Sequence, residues 1–123
     1  MPSFRVASRW VNDESLPVPV RFVAFLWALE SYVWLTGQRF HLTYERLGAY
    51  FGFDWHNKPA AAQIVTALQV LSVERERVKN RLDLAKLQRR AEKQSGRRQP
   101  KKGMYDWVYE PDFFEIPNPR NAA

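Results

Sequence analysis

The sequence contains no cysteine. That removes disulfide staples, thiolate metal sites and a cysteine nucleophile, and it fits a reducing compartment such as the cytoplasm. Histidine is nearly as scarce. His41 and His56 are the only imidazoles, and neither stands at a motif spacing from a serine nucleophile or a second metal ligand. Asp54 and His56 sit in one turn, where two such residues read as a capping aspartate and a surface histidine rather than as a metal site. The five glycines, at 37, 48, 52, 96 and 103, are too scattered to form a phosphate-cradling loop. These gaps leave no catalytic residue, metal or cofactor to name, and binding rather than catalysis is expected.

Targeting signals are also missing from the sequence pattern. The opening Met1-Pro-Ser-Phe-Arg5 has no apolar run followed by a small-residue cleavage site, so no signal peptide is read. The longest apolar stretch, residues 18–35, is interrupted by Arg21, Glu30 and Ser31, whereas a membrane-spanning helix needs about 20 mostly apolar residues. A buried core helix in a cytoplasmic protein, with no membrane partner, is the expectation.

What is abundant is positive charge, and it is confined. The chain of 123 residues carries a formal net charge of +6. Residues 74–102 hold twelve of the 19 Lys and Arg but four of the 13 acids, a local surplus of eight. The remainder has seven cations against nine acids, a deficit of two. The basic character therefore belongs to one element, which is dense enough to follow a phosphate backbone and release its counterions. With 46% hydrophobic residues the chain suffices for a single domain with one core. We assign the core to about residues 4–73 and 104–116, a basic helical arm and loop to 74–103, and a frayed tail to 117–123.

Along the chain, residues 4–11 alternate loosely and contain Phe, Val and Trp, which predicts a short strand or extended arm ended by Asn12-Asp13-Glu14-Ser15 and by Pro17 and Pro19. Residues 19–36 predict a helix, with Pro19 in its first turn and Gly37 after its last. Phe22, Leu26, Leu29 and Val33 form its apolar stripe, widened by Phe25, Trp27 and Trp34, all read as core. Residues 42–52 predict a second helix, capped by Thr43, closed by Gly52, and turning Leu47, Tyr50 and Phe51 inward.

After a turn containing Asp54, Asn57 and Pro59, a third helical period runs through Ile64, Leu68 and Leu71, with Asn57 as its cap and Pro59 in its first turn. The spacing continues through Arg75, Val78, Leu82 and Ala85. It admits one helix of over thirty residues or a pair broken near Ser72, and is expected to pass unbroken to at least Val78. Residues 95–103 read as a loop. Tyr105, Trp107 and Tyr109 alternate with polar and apolar neighbours at strand spacing, ended by Pro111.

The block Leu42-Thr43, Leu47-Gly48, Gly52 and then Ile64, Ala67, Leu68 and Leu71 resembles the helix-turn-helix core of winged-helix proteins among plasmid and phage regulators and replication initiators. Two helices that cross closely call for a small residue such as Gly48 at the contact. The resemblance implies double-stranded DNA binding in transcription or replication control. The helix region 58–71 would enter the major groove, with Lys58, Gln63 and Thr66 on its exposed face. It also implies a wing, which residues 105–110 could supply. The sequence departs from the pattern in its longer turn at 53–58 and in the basic segment that stands where the first wing strand belongs.

The basic segment itself offers Arg75, Arg77, Lys79, Arg81, Lys86, Arg89, Arg90, Lys93, Arg97, Arg98, Lys101 and Lys102 as phosphate contacts, partly muted by Glu74, Glu76, Asp83 and Glu92. Trp55 and His56, placed in a turn, are candidate contact residues. The stripe Leu71, Val78 and Leu82 would face water on a projecting arm, which predicts a homodimer. The fold expectation is thus mainly α with a minor β element, a helix-turn-helix core followed by a long basic helix. DNA is the expected partner ahead of RNA. A non-enzymatic adaptor or inhibitor that binds an acidic protein or a nucleoprotein complex is the alternative.

Overall fold

The structure, a computed structural model, describes residues 2–52 and 54–96. These form four helices: α1 (Phe4–Val11), α2 (Val18–Thr36), α3 (Phe40–Phe51) and α4 (Ala61–Gln94). Among the described residues there is no strand, so the mainly α expectation holds. The expected strand over residues 105–110 lies outside the described residues.

The segment 4–11 is a helix, not the strand that its alternation suggested. Its buried residues are Phe4, Ala7 and Val11, spaced by three and four, so one helical stripe closes on the core and leaves Arg5 and Arg9 outside. The Ser3 hydroxyl caps the helix by accepting from the Val6 amide at 3.2 Å. At the other end Arg21, itself buried, donates from Nε to the Val11 carbonyl at 2.7 Å. This charge-assisted bond answers a carbonyl that the end of α1 would otherwise leave open.

The central helix is α2, which lies against each of the other three. Ala24, Phe25, Ala28, Leu29 and Tyr32 are fully enclosed, and two alanines a turn apart let neighbouring backbones come close. Gly37 closes the helix at φ 72°, the left-handed position a Cβ disfavours. By length and composition α2 could cross a membrane, but its enclosed face is packed on the protein's own core. One tryptophan assigned to that core lies elsewhere, since Trp34 is 77% exposed, whereas Trp27 packs half-buried on the core's edge against Trp10, ring centroids 5.7 Å apart. The sequence could not tell which side of a nearly all-apolar helix is left uncovered.

In α3, Leu47 and Gly48 are buried and Gly52 ends the helix at φ 70°, as expected. Thr43 is not its cap. The helix starts earlier, after Arg39, and Thr43 is enclosed, its hydroxyl between Gln38 Oε1 at 3.0 Å and the Arg39 carbonyl at 3.2 Å. Tyr50 is exposed rather than inward. In the connection to α4, Asn57 does not cap either. Its side chain donates to Asp54 Oδ2 at 2.7 Å, and Pro59 precedes the cap position, which is Ala60. Alanine has no side-chain acceptor, so Gln63 supplies the cap bond in reverse, accepting from the Ala60 amide at 2.9 Å.

Trp55 is the second correction in this connection. Expected on the surface, it is 6% exposed. It stacks on Phe25 and Phe22 at centroid distances of 5.4 and 5.9 Å, meets Tyr44 at 5.4 Å, and donates from Nε1 to the Tyr44 carbonyl at 3.0 Å. Through this side chain the connection is tied to both α2 and α3.

A single helix, α4, spans 34 residues without a break at Ser72, a length of about 51 Å at 1.5 Å per residue. Ile64, Ala67, Leu68, Leu71 and Val78 are buried and Leu82 packs against the core. Leu71 and Val78 are therefore covered by the chain itself, and the premise that they face water and call for a second copy does not hold.

Candidate functional site

Helical geometry sorts the cations of α4 into two faces. At 100° per residue, Arg75, Lys79, Lys86, Arg89, Arg90 and Lys93 fall within a sector of about 100°. Arg77 and Arg81 fall on the far side. There they face Glu74, which is buried between α4 and the rest of the bundle: Arg77 Nη1 lies 3.4 Å from Glu74 Oε1. Burial pushes the Glu74 carboxyl above its ordinary range, against the pull of Arg77 and Arg81. The charge of Arg77 is thus engaged on a structural carboxylate, with Arg81 adding to the field there.

The first face changes character along its length. The side of α4 that buries Ile64, Leu68, Leu71 and Val78 is the side that later carries Lys86, Arg89 and Lys93. No described residue beyond Leu82 belongs to the core or packs on it. Once the helix passes the ends of its neighbours, the sequence exchanges leucines for lysines and arginines in the same register. Lys86, Arg89, Arg90 and Lys93 border an open depression of about 230 Å³. Leu84 and Leu87, 65% and 58% exposed, lie on the opposite side of the same stretch.

Nearer the body, α1 adds cations that the sequence reading missed. Arg5 and Arg9 of α1 and Arg75 and Lys79 of α4 line an open groove of about 600 Å³. Arg75 is steered by its neighbour: its guanidinium carbon stands 4.6 Å from the centroid of the Phe4 ring. The signal for Arg5 and Arg9 was present as an i, i+4 pair, legible once 4–11 is read with a period of three and four rather than two.

The remaining sequence-predicted residues are more scattered. Lys58 is exposed at φ 38°, the one non-glycine residue with positive φ among those described. The Gln63 carboxamide holds the start of α4, and the Thr66 hydroxyl donates to the Ala62 carbonyl at 2.8 Å. His56 is exposed, while Asp54 accepts from the His56 amide at 3.0 Å and from Asn57. Asp54 thereby acts as a turn-former. Arg97, Arg98, Lys101 and Lys102 lie outside the described residues. The main helix contacts of α3 and α4 are with α2 and, for α4, α1, rather than with each other.

A different surface runs along α2, where Val20, Val23, Trp27 and Trp34 follow one helical stripe. Val20, Val23 and Trp34 are exposed and Trp27 is half-buried beside the exposed Trp10. Among the described residues no three metal-ligating side chains come together. Compared with known protein families, curated proteins and solved structures, the chain gives no match.

Proposed function

We propose that this chain binds nucleic acid, duplex DNA before RNA, by laying the outer half of α4 along the phosphate backbone, as a non-enzymatic cytoplasmic protein of transcription or replication control. The observation that carries the reading is the switch on one face of α4. Up to Leu82 that face is mainly core, with Arg75 and Lys79 at its border with α1, and from Lys86 to Lys93 it is cationic. A stretch serving only solubility has no need to gather Lys86, Arg89, Arg90 and Lys93 on one side. The helix-turn-helix form of the proposal adds base contacts from Gln63 and Thr66. Both already hold local hydrogen bonds, so the arm supplies most of the affinity and any reading of sequence is secondary.

The test is a salt-series titration of the full chain with duplex DNA, single-stranded DNA and RNA. Duplex binding should weaken linearly in log–log form, with a slope of about −0.9 per phosphate contact, against about −0.7 for single strands. Absence of binding to all three at low salt overturns the proposal. It would leave the adaptor reading, which the exposed Val20, Val23 and Trp34 along one side of α2 favour, since clustered exposed apolar side chains are a mark of protein partners. A second copy would pair through Leu84 and Leu87, not through Leu71 and Val78.

A further inference from the structure

The groove between α1 and α4 is distinct from the outer half of α4. Its cations come as two i, i+4 pairs, Arg5 with Arg9 and Arg75 with Lys79, from two helices packed side by side. In each pair the rise between partners is about 6 Å. Against these four stands one lining carboxylate, Glu76, whose Oε1 lies 3.9 Å from Arg75 Nη1. Arg5, Arg9 and Lys79 make no ion pair among the described residues. Arg75 Nε is enclosed without a hydrogen-bond partner, and the side chain is 26% exposed, so its charge is weakly hydrated and only loosely countered.

The neutral polar side chains lining the groove are already committed. The Ser8 hydroxyl donates to the Phe4 carbonyl at 2.7 Å, the Asn12 amide to the Ser8 carbonyl at 3.0 Å, and the Ser72 hydroxyl to the Leu68 carbonyl at 2.9 Å. The unspent donors are therefore cationic. The one aromatic lining residue, Phe4, is buried, so no ring is offered for a base to stack on. A site with cationic donors and no stacking platform suits phosphate rather than base.

We propose that this groove is a second phosphodiester-binding site, which takes the DNA backbone where it passes the body of the protein. The proposal rests on the nucleic-acid reading above and extends its footprint. Arg75 and Lys93 share a face of α4 about 27 Å apart at 1.5 Å per residue, which corresponds to about 8 base pairs at 3.4 Å per pair.

The test compares three variants of the full chain on one duplex of about 20 base pairs, each first shown by circular dichroism to melt like the wild type. With R5Q/R9Q the slope of log affinity against log salt should flatten by about 1.8 if both arginines contact phosphate. With R5K/R9K, which keeps the charge, the slope should return to the wild-type value. If R5Q/R9Q leaves the slope unchanged while K86Q/R89Q/R90Q/K93Q flattens it, the groove proposal is overturned and the outer-α4 reading stands. If the wild type itself does not bind the duplex, both fall.

Discussion

Replacing Trp55 is the sharpest test of how the connection between α3 and α4 is held. The indole is 6% exposed, contacts Phe22, Phe25 and Tyr44 at ring distances of 5.4 to 5.9 Å, and donates one hydrogen bond of 3.0 Å to the Tyr44 carbonyl. Trp55→Ala removes all of these and leaves a cavity. Large-to-small changes of this kind cost about 3–5 kcal/mol, a large share of the roughly 5–15 kcal/mol that holds a domain together. At about 4 °C per kcal/mol for a chain of 123 residues, the melting temperature should fall by roughly 12–20 °C. Trp55→Phe keeps most of the stacking but loses the N–H donor, so it should cost about 1–2 kcal/mol, the lost bond plus a small volume change.

Urea unfolding followed by far-ultraviolet circular dichroism separates these cases, because helix content reports the whole bundle and not the five tryptophans individually. The order wild type, Trp55→Phe, Trp55→Ala in decreasing stability is expected. DNA affinity should stay unchanged wherever the variants remain folded. A Trp55→Ala protein within about 1 kcal/mol of wild type, with weakened DNA binding, would refute the argument and return Trp55 to the surface role that its place in a turn suggested.

Three other perturbations follow. Substituting K86Q/R89Q/R90Q/K93Q should flatten the salt dependence of duplex binding by up to about 3.6, and between 50 and 200 mM salt this amounts to about two decades of affinity. An unchanged slope in the titration would make this face a solvated surface only. Glu74→Gln tests the buried carboxyl. Its pKa is raised above the ordinary 4.5 in the fold, so the folded protein holds that proton more tightly than the unfolded chain. The associated stability is present below pH 4.5 and is lost as pH rises through the raised value. Urea midpoints across that window should vary less with pH in the variant, and an identical pH profile would sink the assignment. Arg21→Met should cost about 1.5–3 kcal/mol, because it leaves the Val11 carbonyl without its charged donor, and an unfolding midpoint equal to wild type would show that the bond contributes nothing.

Much of the helical order was legible from local chemistry. Gly37 and Gly52 mark the ends of α2 and α3 because the left-handed turn after a helix favours a residue without Cβ. The run from Ile64 onward contains no helix breaker before Gly96, and its continuation through Val78 followed from that. The confinement of positive charge to residues 74–102 needed no structure at all.

Other features depended on neighbours distant in sequence. Residues 4–11 satisfy a strand period and a helix period alike, and the choice fell to α2 and α4, which cover Phe4, Ala7 and Val11 together. Trp34 and Trp55 are chemically the same side chain, yet one is 77% exposed and the other 6%. What differs is that Phe22, Phe25 and Tyr44 converge on Trp55 from two helices.

Local chemistry alone marked the ends of α2 and α3, the unbroken run of α4 as far as Val78 and the position of the charge, because those depend on backbone freedom and on ionisable groups within a few residues. The tertiary structure alone decided which face of each helix is covered. It buried Glu74 beside Arg77, left Lys86 to Lys93 beyond the core, and set Arg5 and Arg9 beside Arg75 and Lys79, since burial and the meeting of charges from different helices arise only when elements far apart in the chain are packed together.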